Sequence, residues 1–395
     1  MDSLGKLEQM KLFRHSFKDP AEFCTQIVVI PNKISKLIGL DIFSSTYKMP
    51  NFYTAFTLFV AVMYLYFTWT SVYEMRHDLE EVINCLVTLG VAVQCVWKLA
   101  IFAINRKELL WMHEYNISLF KEECNPRTKS MLMRNIFLLS VILKVMLISY
   151  AFTSFSLDFA PLLYLLKTGE KLLPFGFYMP YLDHKSWGGY IINYMVHILM
   201  TVYVSSGDMG PDCFYMTMLM NSFTQIDLLI DSLKEMNEKI EQNCDDIVPI
   251  FEKIVKRHQE HLQYLRTVEN VFRFFYFITF VSLSLVLVTS LFAVVMLSWY
   301  QGYVFIAFVS YQMFFGCFLG TILEWKNEQL QREIYNILWY KLENSQQMLL
   351  RFMLLSAQDS ITLTVIFGNL NIPTFLQVYK TVYSIFTMLQ TVKEE

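Results

Sequence analysis

Seven stretches of the chain stay apolar over about 17 residues or more, the length a helix needs to cross a hydrocarbon core of roughly 30 Å. Six are uninterrupted: residues 52–72, 82–104, 136–157, 190–206, 271–297 and 303–323. The seventh, 361–392, is broken at Gly368-Asn369-Leu370-Asn371-Ile372-Pro373. Proline stops a helix and the Gly/Asn pair favours a turn, so this segment reads as a short helix or loop followed by a last span over 374–392. Lipid admits only helices or closed barrels, and these runs are too long for barrel strands. The predicted fold is all-α, a polytopic membrane protein with seven transmembrane helices. Composition supports this: only 17% of the 395 residues are charged, against about 25% in a soluble domain. That is too few to cover a water-facing surface. The net charge of -3 offers no basic face for nucleic acid.

Lysine and arginine in the connections set the orientation. Before the first span stand Lys6, Lys11, Arg14, Lys18, Lys33, Lys36 and Lys48. The second connection holds Arg106, Lys107, Lys121, Arg127, Lys129 and Arg134, and the fourth Lys234, Lys239, Lys253, Lys256, Arg257 and Arg266. The sixth holds Lys326, Arg332, Lys341 and Arg351. The intervening connections carry Arg76, then Lys167, Lys171 and Lys185, then none. This alternation predicts a cytosolic N-terminus and an extracellular C-terminus, the reverse of a G-protein-coupled receptor. Residues 1–20 are charged throughout, so no signal peptide is expected before the first span. Cys24, Cys124, Cys213 and Cys244 fall in cytosolic stretches and Cys85, Cys95 and Cys317 within spans, so no outer-loop disulfide is expected. Asn116-Ile117-Ser118 is a glycosylation pattern on the cytosolic side and reads as a chance match.

Three apolar stripes at helical spacing lie outside the spans: Ile226, Leu229, Ile230, Leu233 and Ile240; Val248, Phe251, Ile254, Val255, Leu262 and Leu265; and Leu330, Ile334, Ile337, Leu338 and Leu342. Helices with one apolar face must pack on each other or on another subunit. His258 and His261 lie on the second stripe, but no carboxylate or cysteine completes a metal-ligand set there.

Polar groups inside the spans are costly and normally pair or face water. Lys144 sits near the middle of the third span. Asp208 and Asp212, beside Gly207, Gly210 and Pro211 at the inner end of the fourth, are its candidate partners, and a Lys144–Asp208 contact is one expectation. A lysine facing a hydrated cavity is the other. Lys98, near the cytosolic end of the second span, is expected to snorkel. The helix is expected to break at the Gly/Pro cluster.

The outer halves of spans two to six are apolar and aromatic with scattered hydroxyls and amides. The candidate ligand-binding residues are Leu86, Gly90, Tyr150, Thr153, Ser154, His197, Ile198, Thr201, Ser290, Leu291, Phe305, Phe308, Tyr311 and Gln312. Such a lining suits a small uncharged organic ligand, although the same residues also serve ordinary helix packing. On the last span Ser384, Thr387, Met388, Thr391 and Val392 share one stripe. A seam of hydroxyls narrowed at Met388 and Val392 suits the wall of a thin pore gated by dewetting. Several subunits would have to supply one seam each; burial inside a monomeric bundle is the alternative.

The C-terminal third carries Tyr335-Asn336-Ile337-Leu338-Trp339-Tyr340, Leu354-Leu355-Ser356-Ala357-Gln358, Phe367-Gly368-Asn369-Leu370-Asn371, Phe375 and Tyr383-Ser384-Ile385-Phe386. In order and spacing these resemble the terminal signature of the insect odorant receptor family. The outer-loop run Leu173-Pro174-Phe175-Gly176-Phe177-Tyr178-Met179-Pro180-Tyr181 is similar to that family's second outer loop. The resemblance implies an odorant-gated, non-selective cation channel in which four subunits surround one pore and each lends its last helix. It implies a plasma-membrane protein of sensory-neuron dendrites that partners a shared co-receptor subunit. This chain resembles the odorant-tuning kind, because it lacks the co-receptor's extended second cytosolic loop. By the family pattern Met388, Thr391 and Val392 would line the gate. Asp359-Ser360 after Gln358, where many members have proline within two residues, departs from that pattern.

The organisation expected is therefore an N-terminal cytosolic segment (1–51), six spans with helical extensions (52–323), a cytosolic assembly segment (324–360) and the interrupted last segment (361–395). A gustatory receptor would share this topology. A metabotropic seven-helix receptor needs an extracellular N-terminus and motifs absent here. No phosphate-binding glycine loop, metal cluster or serine elbow points to an enzyme or a cofactor.

Overall fold

The computed structural model describes residues 17, 19–41, 51–122, 125–242, 247–296, 299, 302–359, 361–366 and 368–394. Lys6, Lys11, Arg14, Lys18, Lys48, Cys124, Cys244, Ser360, Phe367, position 297 and the side chain of Val392 lie outside the described residues. The chain is almost wholly helical: α1 (Pro20–Leu37), α2 (Phe52–Glu74), α3 (Leu79–Leu86), α4 (Leu89–Ile104), α5 (Arg106–Lys121), α6 (Pro126–Thr168), α7 (Trp187–Glu241), α8 (Ile247–Met296), α9 (Gly302–Tyr335), a short 3-10 turn (Trp339–Lys341), α10 (Asn344–Gln358) and α11 (Ile372–Glu394).

Helix ends fall where the sequence supplies caps. Asp19, Asn51, Asp78 and Ser186 each accept a hydrogen bond from a first-turn backbone N–H of α1, α2, α3 and α7, satisfying donors that a helix leaves over. Glu343 and Gln346 form a capping box at α10. Gly169 ends α6 at φ 78, a conformation that glycine adopts without a Cβ penalty. Among the described residues, α2, the α3–α4 segment, α6, α8 and α9 are long and apolar enough to cross a membrane. The α7 and α11 helices carry the two less apolar runs.

Three local expectations are corrected. The second span is not one rod: α3 and α4 are parted at Val87-Thr88, and the Thr88 hydroxyl there bonds that of Tyr64 on α2. The fourth span does not break at Gly207, Gly210 and Pro211, because α7 runs through all three. The two glycines serve close approach instead. A Cβ on Gly207 would stand 2.1 Å from Cys95 Sγ, and one on Gly210 2.3 Å from Ser35 Oγ. Ahead of the last span stands a two-stranded antiparallel hairpin, β1 (Thr364–Val365) and β2 (Gly368–Asn369), rather than a short helix or a plain loop. Gly320 lets the Leu370 carbonyl pack on α9, since a Cβ would meet that oxygen at 1.8 Å.

The long helices leave the membrane without interruption. At roughly 1.5 Å per residue the 55 residues of α7 span about 80 Å, far more than a bilayer core. The projecting ends of α7, α8 and α9 bury the apolar stripes on one another: Ile226, Leu229, Leu233, Ile240, Phe251, Ile254, Leu265, Leu330, Ile334 and Ile337 are all buried, while Val248 is exposed. Polar groups lock this layer. Asn237 Nδ2 donates to the Asn336 carbonyl at 3.1 Å and its Oδ1 accepts from the Leu338 amide at 3.0 Å. Lys326 pairs with Asp227, to which Asn135 donates at 3.0 Å. Asn116 is 2% exposed and donates to the Tyr264 hydroxyl at 3.0 Å, so its side chain is closed to a glycan.

His258 and His261 are buried in this layer, and His261 Nδ1 lies 2.9 Å from Gln225 Oε1. Burial lowers His258 to about 4, and burial together with the neighbouring His258 lowers His261 to about 3. With the folded value depressed, the unfolded chain takes up protons first as pH falls. Stability present above about pH 6.5 is therefore lost between pH 6.5 and about 4, by up to about 1.4 kcal/mol per pH unit for each histidine. Melting temperatures of the detergent-solubilised protein between pH 7.5 and 5 should fall on this account. Replacing both histidines by glutamine should flatten the drop, whatever it does at neutral pH.

Candidate ligand cavity and buried ion cluster

Four helices meet around one lysine. Lys98 on α4 is 0% exposed, with Nζ 2.7 Å from Asp212 Oδ1 and 3.4 Å from Asp208 Oδ1, both on α7. The other oxygen of Asp212 accepts from the Tyr150 hydroxyl of α6 and, at 2.7 Å, from Gln312 Nε2 of α9. The ammonium also stands 5.1 Å over the Phe275 ring of α8, a cation–π distance. Lys98 is thus not the snorkelling residue expected, and it, rather than Lys144, is the ion-pair partner of Asp208. The reason is geometric. Gly207 brings α7 against Cys95, one turn before Lys98, so the lysine points into the bundle. Lys144 lies half-buried on α6.

Directly beside Asp208 opens a narrow cavity of about 60 Å³. Tyr64, Thr88, Val91, Tyr150, Thr153, Ser154, Leu157, Phe175, Met200, Thr201, Val204, Ser205, Phe305 and Phe308 complete its lining. The loop between α6 and α7 folds back over it. Phe175 and Phe177 stack at 5.5 Å, and Phe177 meets Tyr64 edge-on at 4.8 Å and His197 at 4.8 Å. The loop is pinned by the Met179 amide donating to Asn193 Oδ1 at 2.7 Å and the Tyr178 amide donating to Ser71 Oγ at 3.0 Å. Gly176 sits so close to Asn84 that a Cβ would lie 2.7 Å from its carbonyl carbon.

Of the candidate ligand residues, Tyr150, Thr153, Ser154, Thr201, Phe305 and Phe308 face this cavity. Others lie elsewhere. Gly90 packs on Ser282 and Val286, His197 stands behind Phe175 at 5.1 Å, and Tyr311 stacks on Phe315. Gln312 lies under the floor, on Asp212. Leu86 and Ile198 are half-buried, Ser290 is buried, and Leu291 packs against the core; none of these four lines the cavity. Sequence reasoning missed Tyr64, because the first span was left out of the pocket, and Phe175, because it comes from the loop. The aromatic density of residues 173–181 was the available signal. On α11, Ser384, Met388 and Thr391 are exposed and Thr387 is half-buried.

Fold and cavity together define a polytopic helical membrane protein enclosing a small, largely apolar cavity. A family model described as 7tm Odorant receptor matches residues 48–383. A Drosophila melanogaster relative bearing the name odorant receptor 83c is 23% identical over 378 residues, covering 91% of this chain and 94% of its own. Two structures of the insect olfactory receptor OR5 from Machilis hrabei, one in complex with eugenol, superpose with TM-scores of 0.80 and 0.75 at 13% and 14% identity. Each match covers 95% of this chain and 100% of the other. The chain belongs to the odorant receptor family, and so stands among receptors and not enzymes.

Removing the ammonium leaves two buried carboxylates, and breaking a buried pair costs about 3–5 kcal/mol. Lys98→Met should therefore sharply lower the melting temperature and surface expression. Adding Asp212→Asn to it should recover part of the loss, whereas Lys144→Met alone should cost far less. Equal effects for the two lysines, measured in parallel by thermal melting, would remove Lys98 from its central place.

Proposed function

We propose that the chain is an odorant-tuning subunit of an odorant-gated, non-selective cation channel. It would work in the plasma membrane of a sensory-neuron dendrite, in a heterotetramer with the shared co-receptor. The observation that carries this reading is the aromatic cavity roofed by the outer loop, inside a chain of this family. The ligand class is a small volatile organic molecule, in line with the eugenol named for the Machilis hrabei receptor. The basic residues of the even-numbered connections support a cytosolic N-terminus, which leaves the cavity in the outer half.

The last helix supports the channel part of the reading. Val382 and Phe386 are buried against the bundle, while Met388 is 67% exposed and Ser384 and Thr391 stand on the open side. That seam is left uncovered by the described residues of its own chain, as a pore wall shared by several subunits requires. Beside the 3-10 turn and on α10, Tyr335, Trp339, Tyr340, Met348, Phe352 and Leu355 are exposed apolar groups outside the spans. Their concentration supports subunit contact there. An odorant shifts the closed–open balance only by its differential affinity for the two states.

Electrical recording from cells expressing the chain with the co-receptor, against a panel of volatiles, tests the proposal. Inward cation currents that persist under G-protein block are expected, with none from cells lacking the co-receptor. Phe308→Ala should raise the half-maximal concentration about tenfold, in the range of a truncated aromatic anchor. Tags at residues 1 and 395 test orientation: the second should stain intact cells and the first only permeabilised ones. Staining of residue 1 on intact cells would remove the basis of the channel arrangement.

A further inference from the structure

The ion cluster is asymmetric. Asp212 receives three donors, from Lys98, Tyr150 and Gln312. Asp208, four residues earlier on the same face of α7, receives none among the described residues. Its Oδ1 is buried without a hydrogen bond, and Lys98 Nζ at 3.4 Å is within ion-pair distance but off the hydrogen-bond angle. The residue is 1% exposed yet forms part of the cavity lining. A buried acceptor left unsatisfied is expensive, and a carboxylate more so than a carbonyl.

Charge points the same way. Two carboxylates face one ammonium, so Asp208 needs a proton or a hydrogen-bond donor from elsewhere to balance the cluster at the edge of an otherwise apolar chamber. The hydroxyls around the cavity are largely committed elsewhere. Thr153 donates to the Ser149 carbonyl, Thr201 to Asp158 and the His197 carbonyl, and Thr88 is bonded with Tyr64. The rings of Tyr64, Tyr150, Phe175, Phe305 and Phe308 surround the space above, and aromatic faces also favour a cationic group.

We propose that Asp208 is the head-group acceptor of the cavity. Its preferred odorants are small apolar molecules that carry one hydrogen-bond-donating head, an amine or a hydroxyl. This rests on the reading of the cavity as the ligand site and adds what that site selects. The donor head would sit against the Asp208 carboxylate where that residue borders the cavity, while the hydrocarbon body lies against the aromatic wall. A molecule with only an acceptor head, or with none, would leave that carboxylate unsatisfied, as a site built to hydrogen-bond one partner rejects an analogue that lacks the group.

Two matched series test this on the full chain with its co-receptor. One comprises 2-phenylethylamine, 2-phenylethanol, the methyl ether of that alcohol and propylbenzene; the other pentylamine, pentanol, methyl butyl ether and hexane. Half-maximal concentrations are read from currents and binding from the shift in melting temperature of the solubilised protein. In at least one series the amine or the alcohol should be favoured at least about tenfold over ether and hydrocarbon. The amine-to-alcohol ratio tells which donor fits. Asp208→Asn should bring the donor-to-hydrocarbon ratio down toward 1, chiefly by weakening the donors. If the Asn variant does not fold, the ranking in the unaltered protein decides alone. Ether and hydrocarbon matching the donors, with Phe308→Ala still weakening all of them, would overturn the head-group role and leave the cavity reading intact. Failure of every probe to bind in both series would instead remove the cavity as ligand site, and the proposal with it.

Discussion

The bundle depends on the ion pair between Lys98 and Asp212. Inside a bilayer, helices gain nothing from leaving water, since lipid tails are as apolar as leucine, so packing and directional bonds must set how they dock. Here a single carboxylate is approached by an ammonium from α4, a phenol from α6 and an amide from α9. None of these helices slides along α7 by a turn without stripping donors from a buried charge. Burying three ionisable groups is costly, and the net stability such a cluster adds is small. Its contribution is register: it fixes which faces of four helices look at one another, and hence where the cavity opens.

That register is carried beyond the membrane because α7 and α8 do not stop at its surface. The α7 helix bears Met200, Thr201 and Asp208 beside the cavity, and Ile226, Leu229 and Leu233 in the projecting layer. A close-packed rod of this kind transmits a shift as a rigid body, because its buried faces leave little room to bend. Asn237 then ties the far part of α7 to the backbone on both sides of Ile337. A change in how α7 sits at Asp208 is therefore felt by the segment that carries the exposed aromatic residues Tyr335, Trp339 and Tyr340. On the channel reading, this couples ligand occupancy to subunit contacts without any flexible linker.

Much of this was legible in the sequence where a rule depends on length or period alone. The spans followed from apolar run length, and the buried stripes of α7, α8 and α9 from helical spacing. The cavity was half legible. Tyr150, Thr153, Ser154, Thr201, Phe305 and Phe308 were marked by outer-half position and chemistry, whereas Tyr64 and Phe175 enter only because a loop folds back and the first span leans in. Lys98 was misjudged for a definite reason. Its position near a helix end invites a snorkelling account, but which way a side chain points is set by the neighbouring helix, here by the close approach at Gly207. The same glycines and Pro211 looked like a break because composition does not tell a hinge from a contact. Only the partner surface does.

The last helix shows how far hydroxyls alone can be pressed. Ser384 donates to the Lys380 carbonyl, Thr387 to that of Ser384 and Thr391 to that of Thr387, each at 2.9 Å. A hydroxyl that bonds its own helix has already met much of its demand, so such a seam is tolerable against lipid as well as against water. The hydroxyl pattern by itself does not distinguish a pore wall from a lipid-facing surface. Packing narrows the choice on one side only. Phe375 meets Phe314 edge-on at 5.5 Å and Tyr379 packs on Phe375 at 4.5 Å, so rings commit one face of α11 to the bundle. The open face is mixed: Leu376, Tyr383, Ile385 and Met388 are exposed together with Ser384 and Thr391. Its hydroxyls suit a water-lined axis and its apolar groups suit lipid or a neighbouring subunit, so what covers that face follows from assembly and not from the helix alone.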